Sequence, residues 1–112
     1  MLPHSRRASR ILFEKTLKNS KTIHSEYFSL RIGNNDSTQS RYSFVVSKKV
    51  AANATKRNQI RRRGYAALEH LMISIKPGAV LLFFAKKGIE SLSQQALEAS
   101  IASTLKQAAL IT

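Results

Sequence analysis

The chain has 112 residues, no cysteine, and 19 Lys and Arg against 6 Asp and Glu, for a net charge of +13. That length suits one domain with a modest core, and the missing cysteines exclude disulfides and Cys-based metal sites and suit a cytosolic protein. The charge points to a polyanionic partner, nucleic acid before an anionic membrane, because no basic helix here carries a bulky aromatic face. The longest apolar run, Ala79–Ala85, is too short to span a bilayer, and Arg6, Arg7 and Arg10 are not followed by the apolar stretch of a signal peptide.

The chain starts with a basic segment, residues 1–7, expected to be only partly ordered. Residues 9–18 predict a short helix on which Phe13 and Leu17 stack at i and i+4, either in the core or along a cleft. A short strand at 22–24 precedes a clearer one at 26–32, where Phe28, Leu30 and Ile32 share one face and Tyr27, Ser29 and Arg31 the other. The turn formers of residues 33–37 lead to a strand at 42–47, with Tyr42, Phe44 and Val46 on one face and Ser43, Val45 and Ser47 on the other. The economical expectation is that these last two strands pair antiparallel. The open face of such a sheet either offers stacking and phosphate contacts or is merely wetted.

Asn53 is placed to cap a helix opening at Ala54, with Ile60, Gly64, Ala67, Leu68, Leu71 and Ile75 on its inner stripe. At about 100° per residue Asn58, Arg62 and Tyr65 lie opposite the stripe, and Arg61 and Arg63 flank it. Arg57 shares the stripe's azimuth but precedes its first apolar member, so it should point into a groove. Lys76-Pro77-Gly78 breaks the chain, and Ala79–Ala85 reads as a buried central strand with Phe83 and Phe84 in the core and Lys86 and Lys87 closing it. Ser93 caps a last helix, with Leu92 and Leu97 as a hydrophobic staple and Leu97, Ile101, Thr104, Leu105 and Ala108 facing inward. The order is αβββαβα, an α+β chain whose third and fourth strands are joined by a helix and should therefore run parallel.

Eight cations crowd residues 41–63, namely Arg41, Lys48, Lys49, Lys56, Arg57, Arg61, Arg62 and Arg63, with no acid between Asp36 and Glu69 to neutralise them. Such a cluster repels itself unless an anionic partner lies against it. The string SKKVAANATKRNQIRRR resembles the signature of the bacterial ribonuclease P protein subunit: a strand ending in Ser-Lys-Lys, a small-residue turn, then Arg-Asn and a basic cluster on a helix. Ser47, Lys48, Lys49, Arg57, Asn58, Arg61, Arg62 and Arg63 match, while Gln59 stands where the family has a second arginine and so lacks the bidentate phosphate fork. The resemblance covers nearly the whole chain. It implies a two-layer α/β sandwich with a left-handed βαβ crossover, although general rules favour the right hand.

Alone, the chain lacks the inventory of a nuclease. Asp36 is the one aspartate, the five glutamates are scattered, and His4, His24 and His70 fall in separate elements. The resemblance implies a division of labour instead, in which a catalytic RNA holds the active site and most of the Mg²⁺, and the protein assists removal of the 5′ leader from precursor tRNA in the cytoplasm. It implies that Lys48, Lys49, Lys56, Arg57, Asn58, Arg61, Arg62, Arg63 and Lys86 contact RNA. It makes Phe13, Leu17, Phe28 and Tyr42 candidates for the leader cleft, the last two with a strand parity that equally fits the core. Leu17 replaces an aromatic that many relatives carry. The rival readings are a small ribosomal or RNA-chaperone protein, a DNA-binding regulator, and a free-standing metal nuclease. The second needs base-reading residues along a whole helix face, and the third needs carboxylates that are missing.

Overall fold

The computed structural model describes residues 6–35 and 38–111. Most of the segment expected to be partly ordered, and Asp36 and Ser37 of the expected turn, lie outside the described residues. Helix α1 (Arg10–Lys18) leads to strands β1 (Lys21–His24), β2 (Phe28–Asn34) and β3 (Arg41–Val45), helix α2 (Ala54–Leu71), strand β4 (Ala79–Ala85) and helix α3 (Gln94–Gln107). Ser9, Asn53 and Ser93 cap the three helices through their side-chain oxygens, so the last two helix starts lie where the capping residues predict.

The sheet order is β1-β2-β4-β3, with β4 antiparallel to β2 and parallel to β3. The central placement of β4 and its parallel pairing with β3 agree with the sequence reading. The expected β2–β3 pair does not form, because β4 lies between them. The reason is composition: every residue of Ala79–Ala85 is apolar, and such a strand is most stable with both edges paired and both faces covered. Six residues, 35–40, separate β2 from β3, enough to step over one strand at about 4.8 Å per strand spacing. Ser40 fixes that step. Its buried hydroxyl donates to the Lys76 carbonyl at 2.7 Å and accepts from the Ala79 amide at 3.1 Å, tying the entry of β3 to the entry of β4.

One sheet face, made by Phe28, Leu30, Tyr42, Phe44, Leu81 and Phe83, forms the main core with Ile60, Ala67 and Leu68 of α2 and Leu97, Ile101 and Leu105 of α3. This is the expected sandwich. Helix α1 adds a partial layer on the other face, where Thr16 packs onto Gly33: a Cβ there would lie 2.8 Å from the Thr16 methyl. Gly64 has the same role on the core face, since a Cβ there would lie 2.5 Å from the Phe44 ring. Bare backbone lets α2 rest directly on that ring.

Tyr65, expected on the outer face of α2, is buried. Its hydroxyl accepts from the Phe44 amide at 3.2 Å, and the Arg7 guanidinium lies 5.5 Å from its ring centre. The covering comes from the segment before α1, which runs beside β3 with the Ala8 amide donating to the Tyr42 carbonyl at 2.8 Å. Helical azimuth does not register a neighbour supplied by a distant part of the chain.

On the far side of α2, His70 Nδ1 meets Glu98 Oε2 of α3 at 2.9 Å, and this bond and charge hold the imidazole above its usual 6.5. A raised folded-state value means the pair stabilises fully below the unfolded pKa and loses that contribution as pH rises through the folded one. The melting temperature should therefore fall slightly as pH rises above the ordinary imidazole value of about 6.5. The His70→Gln variant, scanned over the same range, should lose that part of the slope; an identical slope would show that the pair contributes nothing.

Candidate nucleic-acid interface

β3 runs out at Val45, and buried Val46 anchors the chain below a tight turn. The Ser47 carbonyl accepts from the Val50 and Ala51 amides at 3.1 and 3.2 Å, which leaves Lys48 and Lys49 exposed at the tip. Asn53 Oδ1 then accepts from the Thr55 and Lys56 amides at 2.7 and 3.4 Å and starts α2 directly beside that tip. A strand end, a basic turn and the first turns of a basic helix thus meet at one end of the sheet. Among the described residues the ion pairs are Arg10–Glu14 and His70–Glu98, and neither engages a cation of residues 48–63. Among the described residues, therefore, no ion pair offsets the charge of residues 48–63.

The cations sort into two groups. Lys48, Lys49, Lys56 and Arg62 are exposed with side chains unpartnered among the described residues, and Arg61 Nη1 donates to Asn58 Oδ1 at 2.7 Å, which holds both outward on one flank. Arg57 is instead folded back. Its Nη1 donates to the carbonyls of Ala51 and Ala52 at 3.0 and 2.8 Å, pinning the turn to the helix. The side chain is half-buried and turned onto the loop's own carbonyls rather than out to solvent. Arg63 is also tied in: it bonds Gln94 Oε1 at 3.2 Å and the carbonyls of Glu90 and Leu92, and Gln94 Nε2 returns a bond to the Arg63 carbonyl at 2.9 Å. Arg63 clamps α2 to the start of α3. Lys86 donates one of its three N–H groups to the Ser25 carbonyl at 2.8 Å.

On the sheet face under α1, Phe13 and Phe84 meet with ring centres 6.0 Å apart. Arg31 lies 6.0 Å from the Phe84 ring centre and donates to the Leu17 carbonyl at 2.9 Å, locking the end of α1 to β2. Leu17 itself is half-buried. Register places Ser29, Phe84 and Val45 in one row across β2, β4 and β3, all half-buried, and Val45 ends β3 just before Lys48 and Lys49. A half-buried row with Phe84 at its centre therefore leads to the basic turn.

Two of the four cleft candidates belong elsewhere. Phe28 and Tyr42 are 0% and 1% exposed, on the opposite sheet face, in the main core. Burial pushes the Tyr42 phenol up, against smaller lowering effects from Ser40 and Arg6, so it stays neutral. Phe84 is the reverse case: expected in the core beside Phe83, it points to the α1 side. In a strand apolar throughout, alternation gives no signal of which face is open. Tyr27, expected on the open face, leaves the strand register before β2 and packs against the core next to Gly88.

Among the described residues no group of three or more His, Cys, Asp or Glu side chains is placed to hold a metal ion, and no helix is long and apolar enough to cross a membrane.

Comparison with known proteins gives a consistent result. The structure resembles the RNase P protein of Staphylococcus aureus, with a TM-score of 0.84, 21% identity, and coverage of 98% of this chain and 100% of that one. It also resembles the RNase P protein of Thermotoga maritima, with a TM-score of 0.81, 23% identity, and coverage of 90% and 96%. The ribonuclease P protein component of Clavibacter michiganensis subsp. michiganensis is 34% identical over 73 residues, which is 65% of this chain and 64% of that protein's length. The family model described as Ribonuclease P matches residues 2–109, and the chain belongs to that family, the family of the ribonuclease P protein component.

Proposed function

We propose that the chain is the protein subunit of ribonuclease P, which binds a catalytic RNA and the 5′ leader of precursor tRNA and assists endonucleolytic removal of that leader. The observation that carries the reading is the cluster of cations from Lys48 to Arg62, offset by no ion pair among the described residues, at the end of the Ser29–Phe84–Val45 row. Lys48, Lys49, Lys56, Arg61 and Arg62 meet RNA phosphates, with Asn58 orienting Arg61. Arg57 and Arg63 hold the turn and α2 in place, and Arg57 keeps its remaining N–H groups at the rim. Phe13 and Phe84 supply the stacking surface for an unpaired leader. The metal that activates water, Mg²⁺, is held mainly by the RNA, and this chain's part is to bind, align and neutralise charge. The setting is the cytoplasm, where precursor tRNA is made.

The test is reconstitution. The purified chain is added to a bacterial ribonuclease P RNA at low Mg²⁺ and cleavage of a precursor tRNA is followed. Cleavage that appears only with both components is the expected result. Binding to the RNA without any change in cleavage would overturn the reading in favour of a general RNA-binding protein.

A further inference from the structure

The flank of α2 that faces α3 carries a groove that shares Lys56 with the phosphate-facing flank. Two adjoining cavities of about 420 and 260 Å³ share Lys56, Ile60 and Glu90. Val50, Ala51 and Ile60 make an apolar floor, and Lys56, Gln59 and Glu90 make the rim. The walls are rigid. The Arg63 clamp closes one end, and buried Ile89 anchors the turn that carries Glu90. Glu90 Oε2 accepts from the Gly88 amide at 3.1 Å, which sets the carboxylate's direction and leaves its other oxygen to the groove. Lys56 and Gln59 have no side-chain partner among the described residues.

A carboxylate at the edge of a polyanion-binding surface opposes phosphate. Because an ionised carboxylate only accepts hydrogen bonds, RNA can offer it a ribose 2′-OH or the N–H edge of a base, and only a base edge presents two donors side by side to the carboxylate. Guanine presents N1–H and N2–H₂ side by side on its Watson–Crick edge, with O6 beside them for a donor such as the Gln59 amide. A volume near 400 Å³ with an apolar floor and few polar groups has the make-up of a small-ligand site, and unpaired bases are the part of RNA read on that edge. We propose that this groove takes one unpaired guanine of the RNA partner. Glu90 accepts from N1–H and N2–H₂, Gln59 donates to O6, Val50, Ala51 and Ile60 support the ring, and Lys56 neutralises the adjoining phosphate. The proposal rests on the reading of the chain as an RNA-binding subunit and adds base selectivity to it.

The test uses the full chain and uridine octamers with one central guanosine, inosine, adenosine or uridine, titrated at fixed salt by fluorescence anisotropy and followed by amide NMR. The guanosine octamer should bind about tenfold tighter than the adenosine and uridine octamers, as expected for a good paired contact, with inosine between them and the largest shifts at Gln59, Ile60 and Glu90. Inosine lacks only the N2 amino group, so it isolates the second bond to the carboxylate. Glu90→Gln keeps the acceptor for the Gly88 amide and should abolish the guanosine preference while the all-uridine octamer binds as well or better. Gln59→Arg should tighten all four octamers and reduce the preference by pairing with Glu90. Equal affinity for all octamers, or a preference that survives Glu90→Gln, overturns the proposal. These outcomes are independent of the cleavage assay: a chain that supports cleavage but ignores guanosine loses the groove alone, and one that selects guanosine without supporting cleavage loses the subunit reading alone.

Discussion

Replacing Gly64 with alanine should unfold the protein at a markedly lower temperature, although the same change in an ordinary helix interior is stabilising by about 1 kcal/mol. The new Cβ would stand 2.5 to 2.7 Å from three atoms of the Phe44 ring. That ring is held on both sides, stacked on Phe83 at 5.6 Å and edge-on to Tyr65 at 6.4 Å between ring centres, so it has no free direction in which to give way. Overpacking a rigid core costs about 3 kcal/mol or more in such a site, leaving a net loss of about 2 kcal/mol. In a chain of this size that is a fall of about 8 °C or more in the melting temperature. Phe44→Leu in the same chain should recover part of the loss by making room, a coupling that a double-mutant cycle would read directly. A Gly64→Ala protein as stable as the parent would mean that α2 does not rest on the sheet as closely as described, and the placement of its basic face would need revision.

The second large effect separates arginines that the sequence presents as equals. Arg61→Ala with Arg62→Ala should weaken binding to the catalytic RNA by about 2–4 kcal/mol, with the melting temperature nearly unchanged, since Arg62 is exposed and half-buried Arg61 bonds only the exposed Asn58 side chain. If the parent neutralises about 5 to 8 phosphates, the slope of log K against log salt should lie around −4 to −7 and become shallower by about 1.5 in the double variant. Arg63→Ala should behave in the opposite way. It removes bonds to Gln94 and to two carbonyls between α2 and the start of α3, so stability falls by about 1.5–3 kcal/mol while the salt slope hardly moves. Arg57→Ala should resemble Arg63→Ala more than Arg62→Ala, because its guanidinium is spent on Ala51 and Ala52. An Arg63→Ala chain that melts normally but fails to bind would show that the clamp is incidental.

Local signals in the sequence were enough to place most elements and miss some of their neighbours. Asn53 and Ser93 mark their helix starts because a side-chain cap is a contact within three residues, and Ala79–Ala85, apolar throughout, reads clearly as the central strand. Strand pairing is different. The six residues between β2 and β3 fit a hairpin loop as well as a bridge over β4, and only the demand of β4 for two partners decides between them. The same limit explains Phe28, Tyr42 and Phe84. Period-2 alternation sorts side chains into two faces without naming the one that a helix will leave open. The basic cluster was legible as a cluster, and its division into outward and inward arginines was not, because Arg57 and Arg63 are turned by backbone carbonyls that no side-chain pattern encodes.

The position of β4 also sets an order of events during synthesis. Between β2 and β3 there is no sheet until the chain has been made through Ala85, and α2, though fully synthesised by then, has no finished surface on which to lie. The pairings that complete the sheet join residues some fifty positions apart on one side and forty on the other, as in Leu30 with Phe83 and Phe44 with Phe83. Non-local contacts of this kind form late and slowly. A nascent chain halted before Ala85 would display all eight cations of residues 41–63 on an unanchored segment, able to attract any polyanion but unable to align one. Affinity for RNA therefore precedes selectivity on the ribosome, and the last third of the chain, which carries few of the cations, is what turns a sticky polycation into a shaped surface.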